Sequence, residues 1–153
     1  MKIVIDTNVF VSSFLNPAGT PRRIIDLWKI EKVTLCLCAE VLTEYLEVLS
    51  RMGLAGEPEL KELLALFKSR RHISFVVIEN ELHSVVADPA DDKFIECAIK
   101  SKAAAVVSGD KHLKGLGKFE GIPILSPAAF ISFLGTVRSC QQGNSRKSGD
   151  IHT

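Results

Sequence analysis

The sequence predicts an α/β domain: a three-layer α/β/α sandwich built on a central, mainly parallel sheet. Two observations carry this. Short apolar runs suited to strands alternate with amphipathic helical stretches along most of the chain, the pattern of β–α–β units. The second and fourth strand candidates, "KVTLCLC" (32–38) and the apolar part of "AAAVVSGD" (103–110), are continuous apolar runs, as expected of strands covered on both faces. At 153 residues and 46% hydrophobic composition, the chain can bury one sizeable core.

The elements follow in order. "KIVI" (2–5) is a buried strand, and a helical stretch runs from about Asn8 to Leu15. "NPAGTP" (16–21) is a turn, since Pro17, Gly19 and Pro21 all interrupt regular structure. Thr20 is the expected cap of a helix with Pro21 at its first position, turning Ile24, Ile25, Leu27 and Trp28 inward. After the second strand, "AEVLTEYLEVLSRM" (39–52) and "GEPELKELLALFKSRR" (56–71) are amphipathic helices. "ISFVVI" (73–78) is a strand, and "DPADDKFIECAIKSK" (88–102) opens a helix. "AAAVVSGD" is a strand ending on an aspartate. "GIPILSP" gives a last short strand and "PAAFISFL" (127–134) a last helix. Residues 135–153 are rich in Gly, Ser, Gln and Asn with almost no apolar side chains. The expected division is therefore a domain over 1–134 and a flexible C-terminal tail over 135–153.

Bulk properties exclude several classes. A formal net charge of +1 gives no global basic field, so a nucleic acid would have to be met by a local patch. No run approaches the roughly 18 apolar residues of a membrane span, and the N-terminus enters a strand without a signal-peptide pattern. Of the four cysteines, Cys36 and Cys38 share one face of a strand and cannot readily bridge each other, and no second Cys or His pair offers a zinc site. Reduced thiols in a cytoplasmic protein are the expectation.

The informative residues are acidic. A buried strand ends on Asp6, where an uncompensated carboxylate is costly. Asp6 therefore either caps the following helix or faces a ligand. In open α/β sheets ligands bind outside the carboxyl ends of the strands, and Asp110 also follows a buried strand. On the helix from residue 39, Val41, Leu42, Tyr45, Leu46, Val48 and Leu49 form an apolar arc. Glu40, Glu44 and Glu47 lie opposite. Glu44 is nearest the boundary and can reach back to the strand ends; all three could also be solvated. In "ADPADD", Asp88 with Pro89 suits an N-cap and Asp91 suits the helix dipole, which leaves Asp92 without a structural task. So many like charges repel unless a cation neutralises them, and an all-oxygen donor set suits Mg²⁺ or Mn²⁺.

The ordered stretches "VIDTNVFVS", "EVLTEYLEVLSR", "DPADDKFIECAIKSKAAAVVSGDKHL" and "GIPILSPAAFISFL" resemble the PIN-domain family, in particular its prokaryotic VapC-like members grouped with toxin–antitoxin pairs. The resemblance covers about residues 1–134. It implies a PIN-like fold and places the family's acidic quartet on Asp6, Glu44, Asp92 and Asp110, as catalytic residues and ligands of one or two Mg²⁺ or Mn²⁺ ions. It places supporting polar residues on Asn8 and Ser108. Thr7, Asp88 and Asp91 are further supporting candidates, with Asp91 a rival to Asp92 in the doubled "DD". "SGD" departs from the commoner "TGD" but keeps the hydroxyl. The implied activity is metal-dependent hydrolysis of RNA. An antitoxin protein and a second copy of the chain are the implied partners.

Lys111, Arg22 and Arg23 are the candidate RNA contacts, with the basic "KSRRH" (68–72) suiting a helix C-terminus equally well. The four histidines show no metal or triad spacing, and no phosphate-cradling glycine loop is present. Two other readings compete. An aspartyl phosphatase or phosphotransferase would need an aspartate two residues after the first, where this chain has Asn8. A non-catalytic RNA- or protein-binding module would not need the complete quartet.

Overall fold

The computed structural model describes residues 1–54, 56–78, 92–110 and 117–147, with backbone alone for Asp92 and for 138–147. Among these residues the chain forms β1 (Lys2–Ile5), α1 (Thr7–Leu15), α2 (Thr20–Lys29), β2 (Thr34–Leu37), α3 (Ala39–Arg51), α4 (Pro58–Ser69), β3 (Ile73–Phe75), α5 (Asp92–Ser101), β4 (Ala105–Val107), β5 (Lys118–Phe119), β6 (Ile122–Leu125) and α6 (Pro127–Lys147).

The most apolar strands lie at the centre. Ile3, Val4 and Ile5 of β1 and Ala105, Val106 and Val107 of β4 have no exposed surface, and β2 is buried from Leu35 onward. The sheet order is β3-β2-β1-β4-β6-β5. All pairings are parallel except β5 with β6. Helices flank this sheet, as the apolar strand runs require. The chain winds from β1 through β2 to β3 on one side, then crosses to β4 on the other. The reversal leaves a crevice between the carboxyl ends of β1 and β4, where open α/β sheets receive ligands. Register brings those ends level: Ile5 pairs with Val107.

An aromatic cluster locks the first four helices together. Phe10 of α1 meets Tyr45 of α3 at 4.6 Å between ring centroids, and Trp28 of α2 stacks on Phe67 of α4 at 5.4 Å. Trp28 is thus a core residue, as its helical position predicts. Packing of α1 on α3 through Phe10 and Tyr45 brings Thr7, one turn before Phe10, to Glu44, the residue before Tyr45.

Several expectations change. Gly19, not Thr20, is the N-cap of α2, and Thr20 lies inside the helix. Leu46 is 38% exposed, so the buried stripe of α3 narrows to Val41, Tyr45 and Leu49. The third strand stops at Phe75. A two-residue strand, β5, precedes the last one. It is joined to β6 through Glu120 and Gly121, both at positive φ (48° and 81°), the conformation of a tight hairpin turn. The last helix runs past Leu134 to Lys147, into the segment that composition assigns to a tail. Cys36, Cys38 and Cys97 are buried free thiols, as expected. Among the described residues no helix is long and apolar enough to cross a membrane.

Candidate active site

Asp6 is the first residue after β1, and its backbone N–H still bonds to the Val107 carbonyl at 2.9 Å. It occupies the N-cap position of α1, yet its side chain makes no capping hydrogen bond. The backbone N–H of Asn8, at the second helical position, lies near enough to favour the charged form, so capping accounts for part of this carboxylate's setting and not for its turn toward β4. Its side chain turns to β4: the Ser108 hydroxyl donates to Asp6 Oδ2 at 2.7 Å. Ser108, wholly buried, is the residue directly after β4. It is the positional counterpart of Asp6, a place the sequence assigned to Asp110. Asp110 lies two residues further on, half-buried, and its backbone N–H donates to Ser108 Oγ at 2.9 Å. One serine hydroxyl thus ties the two strand ends together.

Asp6 is only 4% exposed. Burial pushes its carboxyl above the usual aspartate range; the Ser108 hydroxyl and the nearby Asn8 amide oppose the rise, and the charges of Glu44 and Asp110 add to it. Two of the other three expected carboxylates thus act on Asp6. Among the described residues Asp6 meets a hydroxyl and an amide rather than a cation.

Glu44 reaches the site from α3, as its boundary position predicts, while Glu40 and Glu47 are exposed. The buried Thr7 hydroxyl donates to Glu44 Oε2, and Lys93 Nζ donates to Oε1 at 2.6 Å. Beneath them the hydroxyl of wholly buried Tyr45 donates to the carbonyl of Ile5, the last residue of β1. Lys93 and Tyr45 were missed by sequence reasoning. Tyr45 reads as one more core residue, and a lysine directly after two aspartates reads as local charge balance. Asn8 is exposed beside Thr7.

Asp92 begins α5, but its side chain, like Asp88, Asp91 and Lys111 altogether, lies outside the described residues. Of the other basic candidates, Arg22 is engaged elsewhere: two of its nitrogens bond Glu59 at 2.8 and 3.0 Å and a third bonds Asp26 at 3.2 Å. With its cation spoken for twice, Arg22 is not a free RNA contact. Arg23 is exposed. Arg71 pairs with Glu31 at 2.6 Å.

Among the described residues no three acidic, histidine or cysteine side chains stand as a finished metal cage. The donors present nevertheless fit a hard divalent ion in kind: all are carboxylate oxygens, the charges of Glu44 and Asp110 act on Asp6, and Asp6, the most buried of them, has no cationic partner among the described residues.

A parallel sheet with a switch point, and carboxylates gathered at that point, define the PIN-type α/β class. The chain belongs to the PIN-domain family, whose model matches residues 2–112. It is 37% identical over 120 residues to an uncharacterized protein of Methanocaldococcus jannaschii, covering 76% of this chain and 75% of that one. Its fold is similar to a chain in the crystal structure of VapBC2 from Rickettsia felis bound to a promoter DNA fragment. The TM-score is 0.52 over 82% of this chain and 98% of that one; at 12% identity this likeness concerns the fold alone. PIN domains are in general nucleases and in general use divalent metal ions.

Proposed function

We propose that this chain is a metal-dependent endoribonuclease, with Asp6, Glu44, Asp92 and Asp110 as its catalytic carboxylates. The observation that carries the proposal is Asp6: a buried carboxylate at the switch point, held by Ser108, with Glu44 and Asp110 close enough to resist its ionisation. A site of this kind lowers the stability of the empty fold and is explained by a cation that it binds.

A bound Mg²⁺ or Mn²⁺ ion supplies a Lewis acid for the phosphodiester and makes water more acidic. The chain's own residues do the rest. Ser108 fixes the orientation of Asp6, and Thr7 fixes that of Glu44, whose other oxygen is held by Lys93. Neither hydroxyl is open to a phosphorus atom, because both are buried, Ser108 wholly. Water is left as the attacking group, in line at phosphorus, with the 3′-oxygen expelled. The products are a 5′-phosphate and a 3′-hydroxyl. Single-stranded RNA suits a narrow crevice best, since its backbone bends and its bases are open to contact. Arg23 and Lys111 are the proposed backbone contacts. The VapC-like motifs of the sequence are the basis for an antitoxin protein as partner, and a homodimer belongs to the same reading.

The test is a single-stranded RNA incubated with Mn²⁺ or Mg²⁺. Expected are 5′-phosphate ends, no cleavage in EDTA, and loss of more than about 100-fold in Asp6→Asn with the fold intact. Asp92→Asn should match that loss and Asp91→Asn should not. Cyclic phosphate ends, or cleavage that survives both EDTA and Asp6→Asn, overturn the mechanism. Binding of RNA without cleavage moves the weight to a binding module.

A further inference from the structure

Glu44 is not a bare carboxylate. One oxygen receives the Thr7 hydroxyl; the other holds Lys93 Nζ at 2.6 Å, a charge-assisted bond joining α3 to the first turn of α5. The two side chains are 26% and 23% exposed, so the pair is partly shielded from solvent. Lys93 Nζ also lies 5.6 Å from the centroid of the buried Phe94 ring. An ammonium on a long stem is a compact cation that can move without disturbing the helix that carries it.

We propose that Lys93 is the pocket's internal counter-ion: it holds Glu44 while no divalent ion is bound, and an entering ion must displace it. The inference rests on the metal-ion reading above. An ammonium and a divalent cation repel strongly at contact distance and compete for the same oxygen of Glu44. Thr7 already occupies the other oxygen, which narrows the choice. The coupling is reciprocal: Lys93 weakens ion binding to the extent that the ion weakens the Lys93–Glu44 pair. Lys93 also steadies the empty site, because it brings positive charge to Glu44. It is a positioning residue that sets how much free ion is needed to fill the pocket.

The test uses the full chain and Mn²⁺ alone, read by calorimetric titration and by melting with and without the ion. Lys93→Met keeps the stem and removes the charge; it should bind Mn²⁺ about 10-fold more tightly. It should also melt lower than the parent in EDTA, with the gap closing at saturating Mn²⁺. Lys93→Arg keeps the charge and should bind no more tightly than the parent. Lys93→Gln serves the same purpose as the methionine variant if that variant does not fold. Unchanged or weaker Mn²⁺ binding in the neutral variants overturns the proposal, the more clearly if Asp6→Asn still weakens binding, since the metal-ion reading then stands. A parent protein that binds no Mn²⁺ overturns both.

Discussion

Two charged clusters in this molecule follow opposite rules. Where α2 meets α4, carboxylates face cations: Arg22 reaches Glu59 and Asp26, and Lys29 lies 3.6 Å from Glu62. At the ends of β1 and β4, Asp6 faces a serine hydroxyl, and Lys93 attends to Glu44 instead. The consequences have opposite sign. Arg22 holds the Glu59 carboxyl below its usual range, whereas burial lifts that of Asp6 above its own. The first cluster fastens two helices at the surface and contributes little. The second is kept in place by the sheet and by hydroxyls, against its own repulsion. A charged group that the fold has to restrain is the better guide to function.

The comparison can be broken at the site first. Ser108→Ala removes the donor that orients Asp6 and the acceptor for the Asp110 N–H, at a position with no exposed surface. We expect a loss of about 10- to 100-fold in Mn²⁺ affinity, with Ser108→Thr retaining most of it. Titration of the purified variants decides this. Equal binding by Ser108→Ala would put the hydroxyl in a purely structural role.

A smaller effect is expected just beneath. Tyr45→Phe leaves the Ile5 carbonyl without its side-chain donor in a fully buried place, at a cost of about 1–3 kcal/mol by denaturant titration. Because this bond holds the end of β1, some Mn²⁺ affinity should go with it. An unchanged stability would show that the strand end is secured by its ladder bonds alone.

The smallest effect belongs to the paired cluster. A double-mutant cycle on Arg22 and Glu59 should give well under about 1 kcal/mol, falling with added salt. Glu59 ionises more readily in the folded chain. The coupling is therefore complete above the ordinary glutamate range and disappears as pH falls below it. A coupling larger than that of the Ser108 contact would erase the distinction between the two clusters.

What the sequence showed and what it hid have physical causes. The central strands were readable because full burial leaves an uninterrupted apolar run, and α3 because helical spacing separates Glu44 from Glu40 and Glu47. Asp6 was readable because it closes such a run, and Asp110 because it follows one, two residues beyond Ser108. The details that escaped are set by contacts with no local periodicity. Lys93 and Glu44 are 49 residues apart, so their pairing leaves no trace in either helix. β5 is two residues long and exists through its hairpin to β6. Arg22 seemed free because Glu59 lies on another helix. The buried Ser108, though recognised as a motif residue, was not seen as the direct neighbour of Asp6, since only the register of β1 against β4 makes it one.

That register also bears on how the protein is made. The bond joining Asp6 to Ser108 spans 102 positions of the chain. During synthesis at roughly 5–20 residues per second, Asp6 emerges many seconds before its partner exists. β2 can pair with β1 on one side early, but the other side stays open until β4 arrives. A ribosome carrying the first hundred residues therefore carries an incomplete crevice. If the finished domain cuts RNA, the nascent chain beside the ribosome's own RNA and its message does not, because the chain must supply nearly its whole domain before the carboxylates meet.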